Sequence, residues 1–198
     1  MSSPTVLCVG EALVDFIPER SGVPIREVSR FEKVVGGAPA NVTVGLARQG
    51  ESVGLLTRVG NDEFGYFLAE QLRAEGVDTS RFHYDTERRT GITFLQIDAD
   101  GERSFLFFRQ DAAETAIEPS DLDPEYIQQS SIVHLGSNLM MRETGRQTTL
   151  EAIRLAREAN RYITVDPNLR VHMWGSPEDC YEAARAVSRE AHVVKLND

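Results

Sequence analysis

The sequence predicts an α/β domain in which helices cover both faces of a mostly parallel sheet. Short apolar runs typical of buried strands recur along its 198 residues, and amphipathic helical patterns separate several of them. One further stretch alternates apolar and polar residues instead, which is typical of an antiparallel hairpin. Together these observations predict a single α/β body, residues 1–198, with a small β element set beside it.

The predicted strands of the body are short apolar runs, several of which end at a glycine or an aspartate. They comprise residues 5–10, 52–60, 132–136, 162–166 and 192–196. Because helical patterns rather than tight turns separate several of these runs, the strands are expected to pair in parallel.

Helices are predicted between these strands from apolar residues at helical spacing and from end signals. The pattern covers residues 63–75, 146–159 and 177–190. Gly76 is suited to end the first of these, since glycine adopts the left-handed conformation that follows many helices. Ser176 is suited to cap the last one, and Pro177 is suited to its first turn.

Residues 90–109, TGITFLQIDADGERSFLFFR, predict a β-hairpin with DADG at its turn. Residues 26–35 are also strand-like, but polar. We therefore expect about three strands, within residues 16–35 and 90–110, to form a small sheet apart from the body. Such a flap beside a parallel sheet is suited to close over a ligand as a lid. A plain edge hairpin is the alternative.

Composition and charge exclude several classes of function. A chain of formal net charge −10, with no evident basic patch, is not expected to bind nucleic acid. No apolar stretch reaches membrane-spanning length and no secretory signal is evident, so we expect a cytoplasmic protein without a membrane partner. The two cysteines and four histidines show no spacing typical of a disulfide framework or a metal site.

Residues 36–41, GGAPAN, place paired glycines before a predicted helix. Glycines at a helix N-terminus let a ligand approach exposed N–H groups, and the helix dipole favours polar or anionic oxygens there. The stretch lacks the GxxxxGK[ST] pattern of a P-loop, and no GxGxxG follows the first strand, which argues against a dinucleotide fold. Physical reasoning alone leaves a tight turn and a ligand site equally open.

The stretch GGAPANVTVGLARQGESVGLLTRVG resembles the first signature of the PfkB, or ribokinase-like, family of sugar kinases. Further segments on either side of this stretch stand in the family's order and extend the resemblance over essentially the whole chain. They are VGEALVDFIP before it, and GNDEFG, TGITF, GERSFLFFR and VDPNLRVHMW from its end onward. The last of these is most similar to the fructokinase branch. The resemblance implies a ribokinase-like three-layer α/β/α sandwich with a β lid.

The resemblance also implies where the sugar binds. Gly36 and Gly37 would present backbone groups to sugar hydroxyls, and Asn41 would add side-chain hydrogen bonds. Asp15 matches a strand-end aspartate that the family aims at the same hydroxyls, with a solvated turn carboxylate as the alternative. Phe107 and Arg109 match lid residues, although ordinary hairpin packing would explain Phe107 equally well.

Polar residues after the strand at 162–166 are expected at the ligand-binding edge of the sheet. Asp166 is assigned to the sugar and Asn168 and Arg170 to the phosphate side. The alternative is an Asx-turn at Asp166 and a surface ion pair for Arg170. Lys195 and Asn197 are assigned to the ATP side, Asn197 as the first residue of the family's Asn-x-x-Glu motif.

The sequence departs from the family pattern in lacking the glycine-rich GAGD-type segment, which carries the anion hole and the catalytic aspartate. We therefore assign no catalytic residue and no metal ligand within these residues. Two explanations compete: the chain is a truncated piece of a longer kinase, which we favour, or a naturally short, non-catalytic relative. Either way, the 198 residues alone are expected to be inactive.

The resemblance implies that the full enzyme transfers the γ-phosphate of ATP, with Mg²⁺, to a primary hydroxyl of a ketohexose, with fructose as the expected sugar. The rivals are a 2-keto-3-deoxygluconate kinase, a ribokinase or nucleoside kinase, and a non-catalytic sugar-binding or interaction protein. Thr93 and Phe107 stand where the first rival tends to carry tyrosines, which weakens it. Open lid edges also predict a homodimer formed through the lids.

Overall fold

The computed structural model describes residues 4–98 and 100–196. Its larger sheet has six strands in the order β10-β9-β8-β1-β4-β5, and every neighbouring pair is parallel. The strands are β1 Val6–Val9, β4 Val53–Gly60, β5 Asp78–Asp85, β8 Ile132–Gly136, β9 Tyr162–Asp166 and β10 Val193–Val194. The predicted parallel sheet is therefore confirmed.

Strand β5 lies at one edge of this sheet and was not predicted. Its sequence, DTSRFHYD, interrupts apolar residues with polar and charged ones, and only Thr79, Phe82 and Asp85 of it are buried. An edge strand needs only one buried face, so it lacks the continuous apolar run that identified the central strands.

A second sheet of four strands, called here the lid sheet, has the order β3-β2-β6-β7. Its strands are β2 Leu13–Pro18, β3 Phe31–Gly36, β6 Ile92–Ile97 and β7 Arg103–Phe108. The predicted hairpin of residues 90–109 is present as the antiparallel pair β6–β7. The prediction of about three strands beginning near residue 16 was wrong, because β2 starts at Leu13, only a few residues after β1.

Within the described residues, five α-helices connect the strands: α1 Ala38–Arg48, α2 Glu63–Ala74, α3 Pro124–Gln129, α4 Glu143–Glu158 and α5 Pro177–Ser188. The predicted end signals are confirmed. The Ser176 side chain accepts a hydrogen bond from the Asp179 backbone N–H, and Gly76 follows α2 with φ of 90°. No helix in the described ranges is both long and apolar enough to span a membrane.

The core consists of two apolar clusters, one on each face of the parallel sheet. Leu7 and Val9 of β1 belong to the cluster that includes residues of α3, α4 and α5, whereas Val6 and Cys8 belong to the cluster that includes residues of α1 and α2. Successive residues of a strand point to opposite faces, so β1 is buried on both sides. The result is the predicted three-layer α/β/α arrangement.

Candidate functional site

A cleft of about 500 Å³ lies between the lid sheet and the carboxyl ends of the parallel strands. Most of the residues predicted from sequence line it: Asp15, Gly37, Asn41, Phe107, Arg109, Asp166, Asn168, Arg170 and Lys195. The carboxyl ends of parallel strands meet at one edge of a sheet, which is why residues so distant in sequence converge here. Asn197 lies outside the described residues.

The paired glycines, Gly36 and Gly37, have different structural roles. Gly36 ends β3 and is packed against Asp15, where an added Cβ would clash with the carboxylate. Gly37 lines the cleft and precedes α1 with φ of 103°, and a Cβ there would lie 2.5 Å from the Glu11 carbonyl oxygen. Glycine therefore allows both the sharp entry into α1 and the close approach of the backbone to the turn before β2.

Asn41 lies in the first turn of α1, and its backbone N–H donates to the Gly37 carbonyl at 2.9 Å. Its exposed side chain lines the cleft. The residue is thus held by the helix while its side-chain amide faces the cleft.

Asp15 is the third residue of β2, so its assignment to a strand end was wrong. The reason is that β2 begins directly after the turn at residues 10–12 and carries Asp15 into the lid sheet. Burial raises the pKa of Asp15 to about 6, and the nearby positive charge of Arg109 opposes this rise. A half-buried carboxylate is therefore held at the cleft wall at some energetic cost.

Arg109 follows β7 and is largely buried in an ion pair with Glu114. Its Nε donates to Oε1 of Glu114 at 3.0 Å, and the Glu114 side chain is fully buried. Oε2 of Glu114 accepts a hydrogen bond from the Gly91 N–H at 3.1 Å. Burial raises the pKa of Glu114, while Arg109 and these hydrogen bonds oppose the shift.

Phe107 joins the lid to the loop after β9. Its ring stacks on Phe105 with centroids 5.7 Å apart, and on His172 with centroids 6.1 Å apart. It therefore combines hairpin packing with a place in the cleft wall.

The segment after β9 combines the two interpretations made from sequence. Asp166 Oδ1 accepts a hydrogen bond from the Asn168 N–H at 2.9 Å, which is the expected Asx-turn. Its Oδ2 pairs with Nζ of Lys195 at 3.0 Å. Arg170 donates to the Leu169 carbonyl, and the surface ion pair considered as its alternative role is not found in the described part of the chain. The four predicted residues of this segment and after β10 that the structure describes, Asp166, Asn168, Arg170 and Lys195, all line the cleft.

Sequence reasoning missed two buried polar residues, Glu11 and Asn138. Asn138 Nδ2 donates to Glu11 Oε1 at 3.0 Å, and both side chains line the cleft and a neighbouring chamber of about 400 Å³. Glu11 follows β1 and Asn138 follows β8, two paired strands. The carboxyl-end rule that selected Asp166 could have selected both.

The GNDEFG segment serves the structure rather than the cleft. Asp62 caps α2 by accepting hydrogen bonds from the N–H groups of Phe64 and Gly65. It also accepts from both the backbone N–H and the hydroxyl of Thr90, which precedes the β6–β7 hairpin. Burial tends to raise the pKa of Asp62, but these hydrogen bonds outweigh it and the pKa is lowered.

Comparison with known proteins agrees with this geometry. The pfkB family carbohydrate kinase model matches residues 3–198. The chain belongs to the PfkB family. The resemblance stated from sequence is therefore confirmed, and so is the ribokinase-like fold.

Curated relatives of this PfkB chain include named fructokinases. It is 41% identical over 197 residues to probable fructokinase-7 of Arabidopsis thaliana, covering 100% of this chain and 57% of that protein. It is 36% identical to fructokinase-2 of Solanum lycopersicum, covering 100% of this chain and 60% of that one. The chain thus spans less than two thirds of the length of these relatives.

Solved structures of similar fold include nucleotide-bound kinases. An uncharacterized sugar kinase from Pyrococcus horikoshii in complex with ATP has a TM-score of 0.88 at 34% identity, covering 96% of this PfkB chain and 62% of its own. The fructokinase of Xylella fastidiosa with bound ATP has a TM-score of 0.86 at 32% identity, covering 96% and 57%.

Proposed function

We propose that the protein is an ATP-dependent sugar kinase that phosphorylates a primary hydroxyl of a ketohexose, with fructose as the preferred sugar. The observation that carries this proposal is the polar lining of the cleft. Asp15 and Asn41 offer acceptors and donors from two different elements, and Gly37 offers bare backbone beside them. A ligand that presents hydroxyls in several directions satisfies such a lining best.

Two orphaned polar atoms support a hydroxyl-rich ligand. Thr93 Oγ1 and Asn138 Oδ1 are buried without a hydrogen-bond partner, and both residues line the cleft. The Asn138 amide is oriented by Glu11, since only its NH₂ group can donate to a carboxylate. Its Oδ1 therefore remains an acceptor in need of a donor, which a sugar hydroxyl supplies.

The phosphate side is proposed at the ends of β9 and β10, where Arg170 and Lys195 bring positive charge to the cleft. ATP and Mg²⁺, when bound, supply the phosphoryl group and neutralise its charge. The residues of this chain position the sugar: the Asp15 carboxylate accepts from hydroxyls, and Asn41 and Gly37 fix the orientation. Arg109 supports the ionised form of Asp15.

A 2-keto-3-deoxygluconate kinase is the second candidate, because Arg103 and Arg170 in the cleft wall would suit a sugar acid. Against it, Thr93 and Phe107 are paired across β6–β7 and both line the cleft, at the positions where the family resemblance implies tyrosines in that rival. We therefore favour the neutral ketohexose.

The test is a coupled ADP-release assay on the complete gene product with fructose, ribose and 2-keto-3-deoxygluconate. We expect fructose to have the highest kcat/KM. Asp15→Ala and Asn41→Ala should each weaken it by about 1–3 kcal/mol, because hydroxyl partners are lost. Glu32→Ala, on the exposed face of β3, is the control. Turnover of no sugar, with sugar binding intact, would favour the non-catalytic alternative.

We also propose a homodimer formed through the lid sheets. Leu106 and Phe108 of β7 are 48% and 56% exposed, although both are large and apolar, and they alternate with the cleft-facing Phe105 and Phe107. An exposed apolar edge of this kind is commonly covered by pairing. Leu106→Ser/Phe108→Ser should give a monomer by light scattering, whereas Tyr162→Ser, exposed far from the lid sheet, should leave the dimer intact. A monomeric wild type would refute the proposal.

A further inference from the structure

Glu114 is a fully buried carboxylate that no sequence motif accounts for. It lies in a short 3₁₀ segment, residues 113–116, outside both sheets. Its two oxygens accept from different parts of the lid hairpin: Oε2 from the Gly91 N–H, just before β6, and Oε1 from Arg109, just after β7. One side chain of the body therefore holds both ends of the hairpin.

The backbone around Gly91 is fitted to this contact. A Cβ at Gly91 would clash with the Glu114 carboxylate, so only glycine allows the approach. On its other side, the Gly91 carbonyl accepts a hydrogen bond from the Val14 N–H at 3.0 Å, next to Asp15. The Ala113 N–H donates to the Arg89 carbonyl at 2.9 Å and ties the same segments again.

Charge links this contact to the cleft. The Arg109 guanidinium interacts with Glu114 on one side and acts on Asp15 on the other. Both Glu114 oxygens accept N–H groups, as an ionised carboxylate does. Other charged groups nearby, Glu11, Arg103 and Arg142, line the cleft or the neighbouring chamber.

We propose that Glu114 is a positioning residue: it holds Arg109 at the wall of the sugar cleft, fixes both ends of the β6–β7 hairpin, and offsets the Arg109 charge that acts on Asp15. This inference rests on the proposed function, since it takes the cleft as the sugar site. Glu114 acts only through Arg109 and the hairpin and does not touch the sugar.

Two variants of the complete enzyme distinguish the effect of the Glu114 charge from the effect of its side-chain length. Glu114→Gln removes the negative charge, and Glu114→Asp keeps the charge but is one methylene too short to reach both partners. We expect Glu114→Gln to raise the KM for fructose about tenfold or more while kcat changes less, since a charge-assisted hydrogen bond is weakened. It should also lower the pH midpoint of fructose binding, because Arg109 then acts on Asp15 without an opposing charge. Glu114→Asp should raise KM without lowering that midpoint.

Asp111→Asn is the matched control. It removes a carboxylate from the same loop, but one that is 72% exposed and pairs with Arg88 and Arg142 rather than Arg109. It should leave both KM and the pH midpoint unchanged. Measuring each Glu114 variant again in an Arg109→Gln background completes a double-mutant cycle, in which the KM effect of Glu114 should largely disappear.

The outcomes distinguish this proposal from the proposed function. If the wild type turns over no sugar, the kinase assignment fails. If the wild type is active and Glu114→Gln lowers only the thermal stability, with KM and pH midpoint unchanged, Glu114 is merely structural. If Glu114→Gln does not fold, two other variants test the proposal. A wild-type KM in Glu114→Asp would overturn the positioning role. So would a Glu114→Gln/Arg109→Gln double variant whose KM is well above that of Arg109→Gln alone.

Discussion

The raised pKa of Asp15 predicts that this residue destabilises the sugar-free protein at neutral pH. Its side chain is partly buried in β2, and burial raises its pKa from 3.8 to about 6, against the opposing charge of Arg109. Replacement by asparagine keeps the shape and removes the charge. We therefore expect Asp15→Asn to be more stable than the wild type without sugar above pH 6.

The sign and the pH window follow from proton linkage. Below pH 3.8, Asp15 is protonated in both the folded and the unfolded chain and carries no penalty. As the pH rises to about 6, the unfolded chain loses this proton first, so the folded state loses stability. Above about pH 6 the full penalty is present and stays constant.

The magnitude is bounded by the same rise in pKa. Each tenfold change in proton affinity corresponds to about 1.4 kcal/mol, so a rise from 3.8 to about 6 gives at most about 3 kcal/mol. Because Asp15 keeps some contact with water, about 1–2 kcal/mol is a better expectation. For a domain of this size that corresponds to an increase in Tm of about 2–8 °C.

The assay is denaturant unfolding of the complete protein at several pH values between 4 and 8, with and without fructose. The stability advantage of Asp15→Asn should grow from pH 4 to about pH 6.5, then level off. Fructose should reduce this advantage, because it is expected to bind the wild type more tightly than Asp15→Asn and so to stabilise the wild type more. Glu32→Gln, a change at an exposed carboxylate on the neighbouring strand β3, should show no such trend. An Asp15→Asn variant that is less stable than wild type by the same amount at every pH would refute the reasoning.

Two further predictions concern the packing of α1 and α2 and the contact between α2 and the segment before β6. Asp62→Ala should lower the free energy of unfolding by about 2–3 kcal/mol in denaturant titration, since it removes the cap of α2 and the link to Thr90, whereas Asp62→Asn should lose less. Gly65→Ala should destabilise by about 1–3 kcal/mol because its Cβ would clash with the Gly60 carbonyl, while Gly45→Ala, with open space around it in α1, should stabilise by up to about 1 kcal/mol. Equal effects of the two glycine changes would contradict the packing described.

Residues at the carboxyl ends of buried strands could be predicted because two sequence signals agree there. Asp166 follows an apolar run whose burial is evident from composition, and topology then fixes which edge of the sheet it reaches. Asp15 was assigned to the right cleft but to the wrong place in its strand. The sequence LVDFIP does not show whether it forms a turn after β1 or a new strand. It becomes a strand only because it pairs with β3 and β6.

Glu114 could not have been predicted as part of the site. It stands in QDAAETAIEP, a polar and alanine-rich stretch without helical or strand periodicity, where a glutamate is ordinarily exposed. Its burial depends on two partners: Arg109, which is close in sequence, and Gly91, which lies at the other end of the hairpin and is brought near only by folding. A charge is stable there only once the hairpin has folded back on the body, so no local pattern records it.

Asp15, Arg109 and Glu114 together form an alternating series of charges that runs from the cleft into the interior. Burial raises the pKa of both carboxylates, and the positive charge of Arg109 opposes that rise at Asp15 and at Glu114. A substitution at one end therefore changes the other through the arginine, without direct contact. Since Arg109 and the Gly91 contact also mark the two ends of the hairpin, the electrostatics of the cleft and the placement of the lid sheet depend on the same three side chains. If the cleft is the sugar site proposed above, a hydroxyl that donates to ionised Asp15 would offset part of its desolvation penalty. The same hydroxyl would then favour the Arg109 position that the ion pair with Glu114 fixes.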